Sequence, residues 1–204
     1  MKIPEIKICG LTTMRDARLV QKYKINYAGV VVFCEKSRRN NAPENAWKLA
    51  AVLGSQIQKI AVCVSPTIEQ VQMIEHMGYD ILQVHGKLLP EVVETAKLPI
   101  FRAYNIQEQQ KVQTEDSDKI IGYVLDGAAA GNGEPFDWSA MRDFDRKGKK
   151  LVLAGGLTAE NVREGIRIMD PDIVDVSSYV ERKNGEGKDE DKIRKFVERV
   201  QKNG

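Results

Sequence analysis

Eight short runs rich in isoleucine and valine recur along the chain, and a helical pattern follows nearly every one. They are EIKIC at 5–9, YAGVVVF at 27–33, QKIAVCV at 58–64, DILQVH at 80–85, PIFRAY at 99–104, KIIGYVLD at 119–126, KLVLAG at 150–155 and DIVDVSS at 172–178. Their near-continuous apolarity suits strands covered on both faces, which is the condition of a parallel sheet. Helical patterns fall at Met14–Tyr23, Ala42–Leu53, Thr67–Met77, Pro90–Ala96, Asp137–Phe144, Thr158–Met169 and Asp189–Gln201. Either Thr12 or Thr13 could cap the first helix, Pro43 and Thr67 are suited to helix starts, and Ile193, Phe196, Val197 and Val200 give the last helix one buried stripe. The polar stretch NIQEQQKVQTED at 105–116 predicts a poor or short helix.

An open doubly wound sheet satisfies the same alternation. Eight units in one unbroken series suit a closed (β/α)8 barrel better. No linker or shift in composition divides the 204 residues, so a single barrel domain over 1–204 is expected.

Charge and cysteine content narrow the function. Lysine and arginine number 31 against 29 acids, a formal net charge of +2 that provides no broad basic field for nucleic acid. Cys9, Cys34 and Cys63 are widely spaced, form no CxxC pair, and are accompanied by only two histidines, so neither a metal site nor a disulfide framework is expected. The N-terminus lacks the pattern of a signal peptide, and no apolar run reaches the ~18 residues of a membrane span. The expectation is a reduced, soluble, cytoplasmic protein; monomer and homodimer both remain open.

In a barrel of this kind chemistry gathers at the C-terminal ends of the strands. Those ends read Cys9, the loop CEKSRR, Ser65, His85, Arg102, Asp126, Gly155-Gly156 and Ser177-Ser178, polar or small where the strand bodies are apolar. Alternation puts Lys7 and Cys9 on one face, with Ile6 and Ile8 opposite. It likewise puts Gly122, Val124 and Asp126 opposite Ile121, Tyr123 and Leu125. With the bulky sets against the helices, Lys7, Cys9 and Asp126 aim into the barrel. Lys7 beside Cys9 would favour a thiolate and lower its pKa. Cys9 alone also reads as an inert core thiol, and Asp126, before Gly127, as a turn residue.

LAGGLTAEN and VDVSSYVE end the last two strands, where barrels often bind phosphate. Gly155 and Gly156 allow backbone N–H groups close to an anion, and Ser177 and Ser178 add hydroxyls and could open a short helix. Two ordinary turns are the plainer reading. The charged loop EKSRRNNAP carries Lys36, Arg38 and Arg39; an arginine fork there suits a carboxylate, although such runs are commonly solvated surface. AAAGNGEPF, after Asp126, suits a loop folding over a ligand or a spacer. His85 reads equally as a site residue or a satisfied strand end, and Cys34 and Cys63 as core.

KICGLT, KSRR, QVHG, GNGEPFDW, LAGGLTAENV and VDVSSYVE, in this order, resemble the phosphoribosylanthranilate isomerase family of tryptophan biosynthesis, from Lys7 to about Lys192. The resemblance implies an Amadori rearrangement of N-(5-phosphoribosyl)anthranilate that needs neither metal nor organic cofactor. By motif match Cys9 is the general base, Asp126 the general acid and Arg39 the holder of the anthranilate carboxylate. Gly155, Gly156, Ser177 and Ser178 fall on the phosphate-binding segments, and Lys7 and His85 are further candidates for substrate contact. The chain departs from the family pattern at Arg38, where proline is usual, at Asn132 for threonine, at Tyr179 for glycine, and in the third strand's AVCVS. Two rivals are another sugar-phosphate barrel enzyme, such as an indole-glycerol-phosphate synthase relative or an epimerase, and a non-catalytic barrel that binds a phosphorylated ligand.

Overall fold

The computed structural model describes residues 2–106, 114, 117–127 and 136–202. Eight parallel strands form the wall: β1 (Glu5–Cys9), β2 (Tyr27–Val32), β3 (Gln58–Val64), β4 (Ile81–His85), β5 (Ile100–Asn105), β6 (Ile120–Asp126), β7 (Lys150–Ala154) and β8 (Ile173–Val176). Neighbours in sequence are neighbours in space, and β1 pairs with both β2 and β8, which closes the barrel. The expected (β/α)8 architecture is therefore present. A two-residue parallel ladder, Asn40–Asn41 against Val31–Val32, extends β2 beyond the barrel wall; the sequence reading did not anticipate it.

The helices are α1 (Met14–Lys22), α2 (Pro43–Leu53), α3 (Ile68–His76), α4 (Pro90–Thr95), α5 (Val162–Met169) and α6 (Glu190–Gln201). Thr13 and Thr67 each close a capping box, with Asp16 and Gln70 respectively, satisfying backbone donors that a helix start leaves open. Two helices are shorter than their patterns. Asp137–Phe144 yields only a 3-10 turn at Trp138–Met141. In Thr158–Met169 the helix begins four residues late, because Thr158 and Asn161 bond each other's backbone N–H groups and Asn161 also donates to the Gly156 carbonyl. Such local side-chain bonds compete with the helical ladder. Most of the stretch expected as a weak helix at 105–116, and nearly all of the AAAGNGEPF loop with Asn132, lie outside the described residues.

Side chains pack in two layers. One cluster, including Ile6, Ile8, Leu19, Leu49, Tyr123, Leu125 and Phe196, fills the space between strands and helices. A second, of Tyr27, Val31, Ile60, Val62, Ile81, Phe101, Val124, Val152 and Ile173, fills the barrel, with Cys9 packed against it. Ile121 corrects the alternation argument: it packs on the interior cluster, not beneath the helices. The register between β5 and β6 slips there, from Ile100 opposite Ile120 to Phe101 opposite Gly122, and a bulge of this type resets which face each residue takes. Beyond it Val124 faces inward and Tyr123 and Leu125 outward, as expected. Among the described residues no helix is long and apolar enough to cross a membrane.

Candidate active site

The strand ends converge on one cavity of about 480 Å³. Cys9, Arg39, His85, Asp126, Gly155, Gly156, Ser177 and Ser178 all line it, so eight of the nine residues singled out by sequence meet in one place. Cys9 arrives on β1 and Asp126 on β6, which brings sulfur and carboxylate to the same chamber from separate parts of the barrel wall.

Lys7 sits behind the other eight. It is fully buried and does not line the cavity. Its ammonium donates to Asp175 Oδ2 at 2.5 Å and to Gln83 Oε1 at 2.9 Å, and it also interacts with Cys9. Gln83 then turns its amide N–H to His85 Nε2 at 2.8 Å. Since the amide oxygen is already taken by Lys7, His85 must accept at Nε2 and carry its proton on Nδ1. Burial, reinforced by the Lys7 charge, depresses the His85 pKa to about 4, so the imidazole is neutral near pH 7. The side chain that His85 presents to the cavity is thus an uncharged ring.

Cys9 also differs from expectation. Burial raises its thiol pKa, and this outweighs the downward pull of Lys7; Asp175 opposes that pull as well. A lysine already paired with a carboxylate is a weaker activator than the KIC spacing suggests. Asp175, fully within the barrel, has its own pKa raised chiefly by burial, with Lys7 working against the shift. Among the described residues its Oδ1 accepts no hydrogen bond, although the atom is buried.

The first glycine of the pair is required by geometry. Gly155 has φ +78°, and a Cβ there would lie 2.2 Å from the Gly127 nitrogen and 2.7 Å from Asp126 Oδ1. The missing side chain thus leaves room for the candidate acid as well as for an anion. Gly10, after Cys9, is similar: φ is +77°, and a Cβ would lie 2.4 Å from Arg39 Cδ. Ser177 donates its hydroxyl to the Cys9 carbonyl at 2.9 Å, linking the last strand end to the first. Ser178 opens the expected short helix, a 3-10 turn at Ser178–Val180. Tyr179 reaches outward, its hydroxyl donating to Glu160 at 3.2 Å.

Arg39 lies at the boundary between this cavity and a second, more polar one of about 440 Å³. Its Nε donates to Glu181 Oε1 at 2.5 Å. Glu181 also pairs with Arg38 and, at 3.5 Å, with the buried Lys188. These charges hold the Glu181 carboxyl below its ordinary range despite its burial. Arg102, another strand-end cation, is buried and clamps the carbonyls of Val84 and Gly86 at 3.0 and 2.6 Å. Cys34, expected in the core, lines the main cavity, whereas Cys63 is core as expected.

Four residues at or near the cavity were not picked from sequence. Gln83 and Asp175 had a readable signal, a polar residue on the inward face of a strand whose body is otherwise apolar. Glu181 and Lys188 had none, since each takes its meaning from partners far away in the chain. Among the described residues no group of three His, Cys, Asp or Glu side chains is arranged to hold a metal ion.

Comparison with known proteins agrees with this geometry. The family model for N-(5'phosphoribosyl)anthranilate isomerase matches residues 6–199. An N-(5'-phosphoribosyl)anthranilate isomerase of Streptococcus mutans is 36% identical over 199 residues, covering 97% of this chain and 99% of its own. The crystal structure of TrpF from Jonesia denitrificans superposes with a TM-score of 0.83 at 30% identity, over 97% of both chains. A phosphoribosyl anthranilate isomerase in complex with reduced 1-(o-carboxyphenylamino)-1-deoxyribulose 5-phosphate gives 0.77 at 27% identity, over 97% of this chain and 98% of that one. A barrel that gathers a thiol, a carboxyl group, an arginine and two glycine- and serine-bearing strand ends in one chamber, and matches these proteins from end to end, belongs to the N-(5'-phosphoribosyl)anthranilate isomerase family.

Proposed function

We propose that the protein converts N-(5-phosphoribosyl)anthranilate into 1-(2-carboxyphenylamino)-1-deoxyribulose 5-phosphate, with Asp126 as general acid and Cys9 as general base. The observation that carries this reading is the opening of both side chains into one cavity beside Arg39 and the two glycine- and serine-bearing strand ends.

Asp126 gives a proton to the furanose ring oxygen. The C1′–O bond breaks as the nitrogen lone pair moves in, and an iminium results. Cys9, as thiolate, takes the C2′ proton; the C–H electrons become the C1′–C2′ double bond and the iminium electrons return to nitrogen. The enolamine then becomes the ketone. The substrate's own nitrogen serves as the electron sink.

Burial disfavours the Cys9 thiolate, while Lys7, Lys188 and Arg39 favour it. Ring opening adds a further positive charge, the iminium, next to the carbon whose proton must leave. The base is therefore best stabilised at the stage at which it is used. Arg39 meets the ring carboxylate, and Gly155, Gly156, Ser177 and Ser178 meet the phosphate. Neutral His85 adds a polar contact without competing for the phosphate or the proton.

The test is loss of substrate fluorescence catalysed by the purified protein and two variants. Cys9→Ala and Asp126→Asn are each expected to lower kcat by about 10²–10⁴-fold, the usual worth of a positioned acid or base. Affinity for a reduced product analogue should stay within a few-fold. Full turnover by either variant would remove that residue's assigned role.

A further inference from the structure

Arg39 does not stand free at the cavity wall. One edge of its guanidinium is taken: Nε donates to Glu181 Oε1 at 2.5 Å. Among the described residues Nη1 and Nη2 donate no hydrogen bond, and the side chain lines the main cavity. A guanidinium presents its donors in a fixed plane, so fixing one edge sets the direction of the others. Free rotation of the long side chain is further limited because its Cδ lies against Gly10, where even a Cβ would come within 2.4 Å.

Glu181 is itself held firmly. It is 7% exposed, its second oxygen pairs with Arg38, and Lys188 approaches Oε1 at 3.5 Å. Its backbone pairs in an antiparallel bridge with Lys188, and its carbonyl accepts from Lys192 Nζ at 2.8 Å. Lys188 is anchored in turn, donating to the Ser177 carbonyl at 3.1 Å and, through its backbone N–H, to Asp16 at 2.7 Å. Three cations thus surround one carboxylate, and the local excess of positive charge suits a second one.

We propose that Glu181 is a positioning residue for carboxylate recognition: by occupying the Nε edge of Arg39 it aims the Nη1/Nη2 edge into the cavity at the carboxylate of the substrate's aromatic ring. This rests on the reading that Arg39 binds that group. It assigns Glu181 no contact with the reacting atoms. Its effect is on the preference for a ring that bears a carboxylate.

The experiment compares two inhibitors, the reduced product analogue and its phenylamino counterpart without the ring carboxylate, on four proteins: wild type, Arg39→Ala, Glu181→Ala and Glu181→Gln. The readout is the ratio of their dissociation constants, which a general loosening of the fold would not move. Wild type should favour the carboxylated compound by tenfold or more. Glu181→Ala should lose most of this ratio while binding the carboxylate-free compound about as well as wild type. Glu181→Gln, whose amide oxygen still accepts from Nε, should keep most of it. Tighter binding of the carboxylated compound by Glu181→Ala would mean that Glu181 competes with the ligand, and would overturn the proposal. Equal weakening of both compounds, or no change, would overturn it as well, as would a Gln variant as defective as Ala. If Arg39→Ala leaves the ratio intact, the underlying assignment of Arg39 fails and this proposal with it. If Arg39→Ala abolishes the ratio and Glu181→Ala does not, only the role of Glu181 is lost.

Discussion

The two mouths of the barrel treat polar side chains in opposite ways. At the N-terminal mouth, Glu5, Tyr27 and Lys150 close a triangle: Tyr27 donates to Glu5 at 3.0 Å, and Lys150 donates to Tyr27 at 2.9 Å and to Glu5 at 3.1 Å. Lys150 and Glu5 are about two-fifths exposed, so water shares the load. At the C-terminal mouth the ion pair of Lys7 and Asp175 is buried, one Asp175 oxygen accepts no hydrogen bond among the described residues, and an ordinary histidine is held neutral. A satisfied, solvated triangle stabilises a rim and leaves little for a ligand to do. Buried groups with shifted pKa values and a spare acceptor mark the end at which a substrate is to be bound.

Breaking the ion pair at each mouth should separate them most widely. Lys7→Met leaves the Asp175 carboxylate buried without its cation, and is expected to cost about 3–5 kcal/mol in chemical denaturation. Lys150→Met removes an exposed partner and should cost no more than about 1 kcal/mol, with turnover unchanged. Equal losses would erase the distinction between the two ends.

The next comparison uses β7, which has a glycine with positive φ just before it and another just after it. Gly148, at φ +73°, has nothing within 4 Å of a built Cβ, whereas Gly155 would place that carbon against Gly127 and Asp126. Both alanine variants carry backbone strain of about 1 kcal/mol. Gly155→Ala should in addition lower kcat by tenfold or more through displacement of the acid, and Gly148→Ala should not. A Gly155→Ala enzyme with normal kcat would show that the Asp126 carboxyl tolerates being moved.

The smallest effect is one of pH. His85 titrates at about 4 in the fold against an ordinary 6.5, so on acidification the unfolded chain takes up this proton first. Stability from this group is present above pH 6.5 and is lost as pH falls towards 4. Between pH 6.5 and 5.5 wild type should lose about 1 kcal/mol more than His85→Gln in urea titrations. Parallel pH profiles for the two proteins would mean that His85 is not held neutral.

The strands and the cavity residues were legible because they rest on short-range rules. Apolar runs gave the wall, and period-two alternation aimed Cys9 and Asp126 correctly although a bulge intervened at Ile121. What sequence concealed depends on pairing between distant segments. Lys7 looks like an activator of its neighbour two residues on, yet its partner is Asp175, 168 positions away. Glu181 reads as one charge in a polar loop until the fold delivers two arginines to it. The short 3-10 turn at Trp138–Met141 shows a different limit at small scale: length does not decide it, since α4 holds with six residues, and the Asp137 carboxylate accepts from the Ser139 N–H, a local bond of the kind that favours turns.

The seam at which β1 meets β8 also has a temporal meaning. Cys9 lies on the first strand of the ring, whereas Ser177, which donates to its carbonyl, is 168 positions further along, and Lys188, which donates to that serine's own carbonyl, is further still. In folding, the sulfur therefore waits for the two ends of the ring to meet before its wall exists. Closing so long a loop is entropically slow compared with forming the neighbouring hairpin-like β/α units. Until β1 has met its neighbour on the far side of the seam, Cys9 has strand on one flank only, so the chamber is a property of the closed ring and of no single β/α unit.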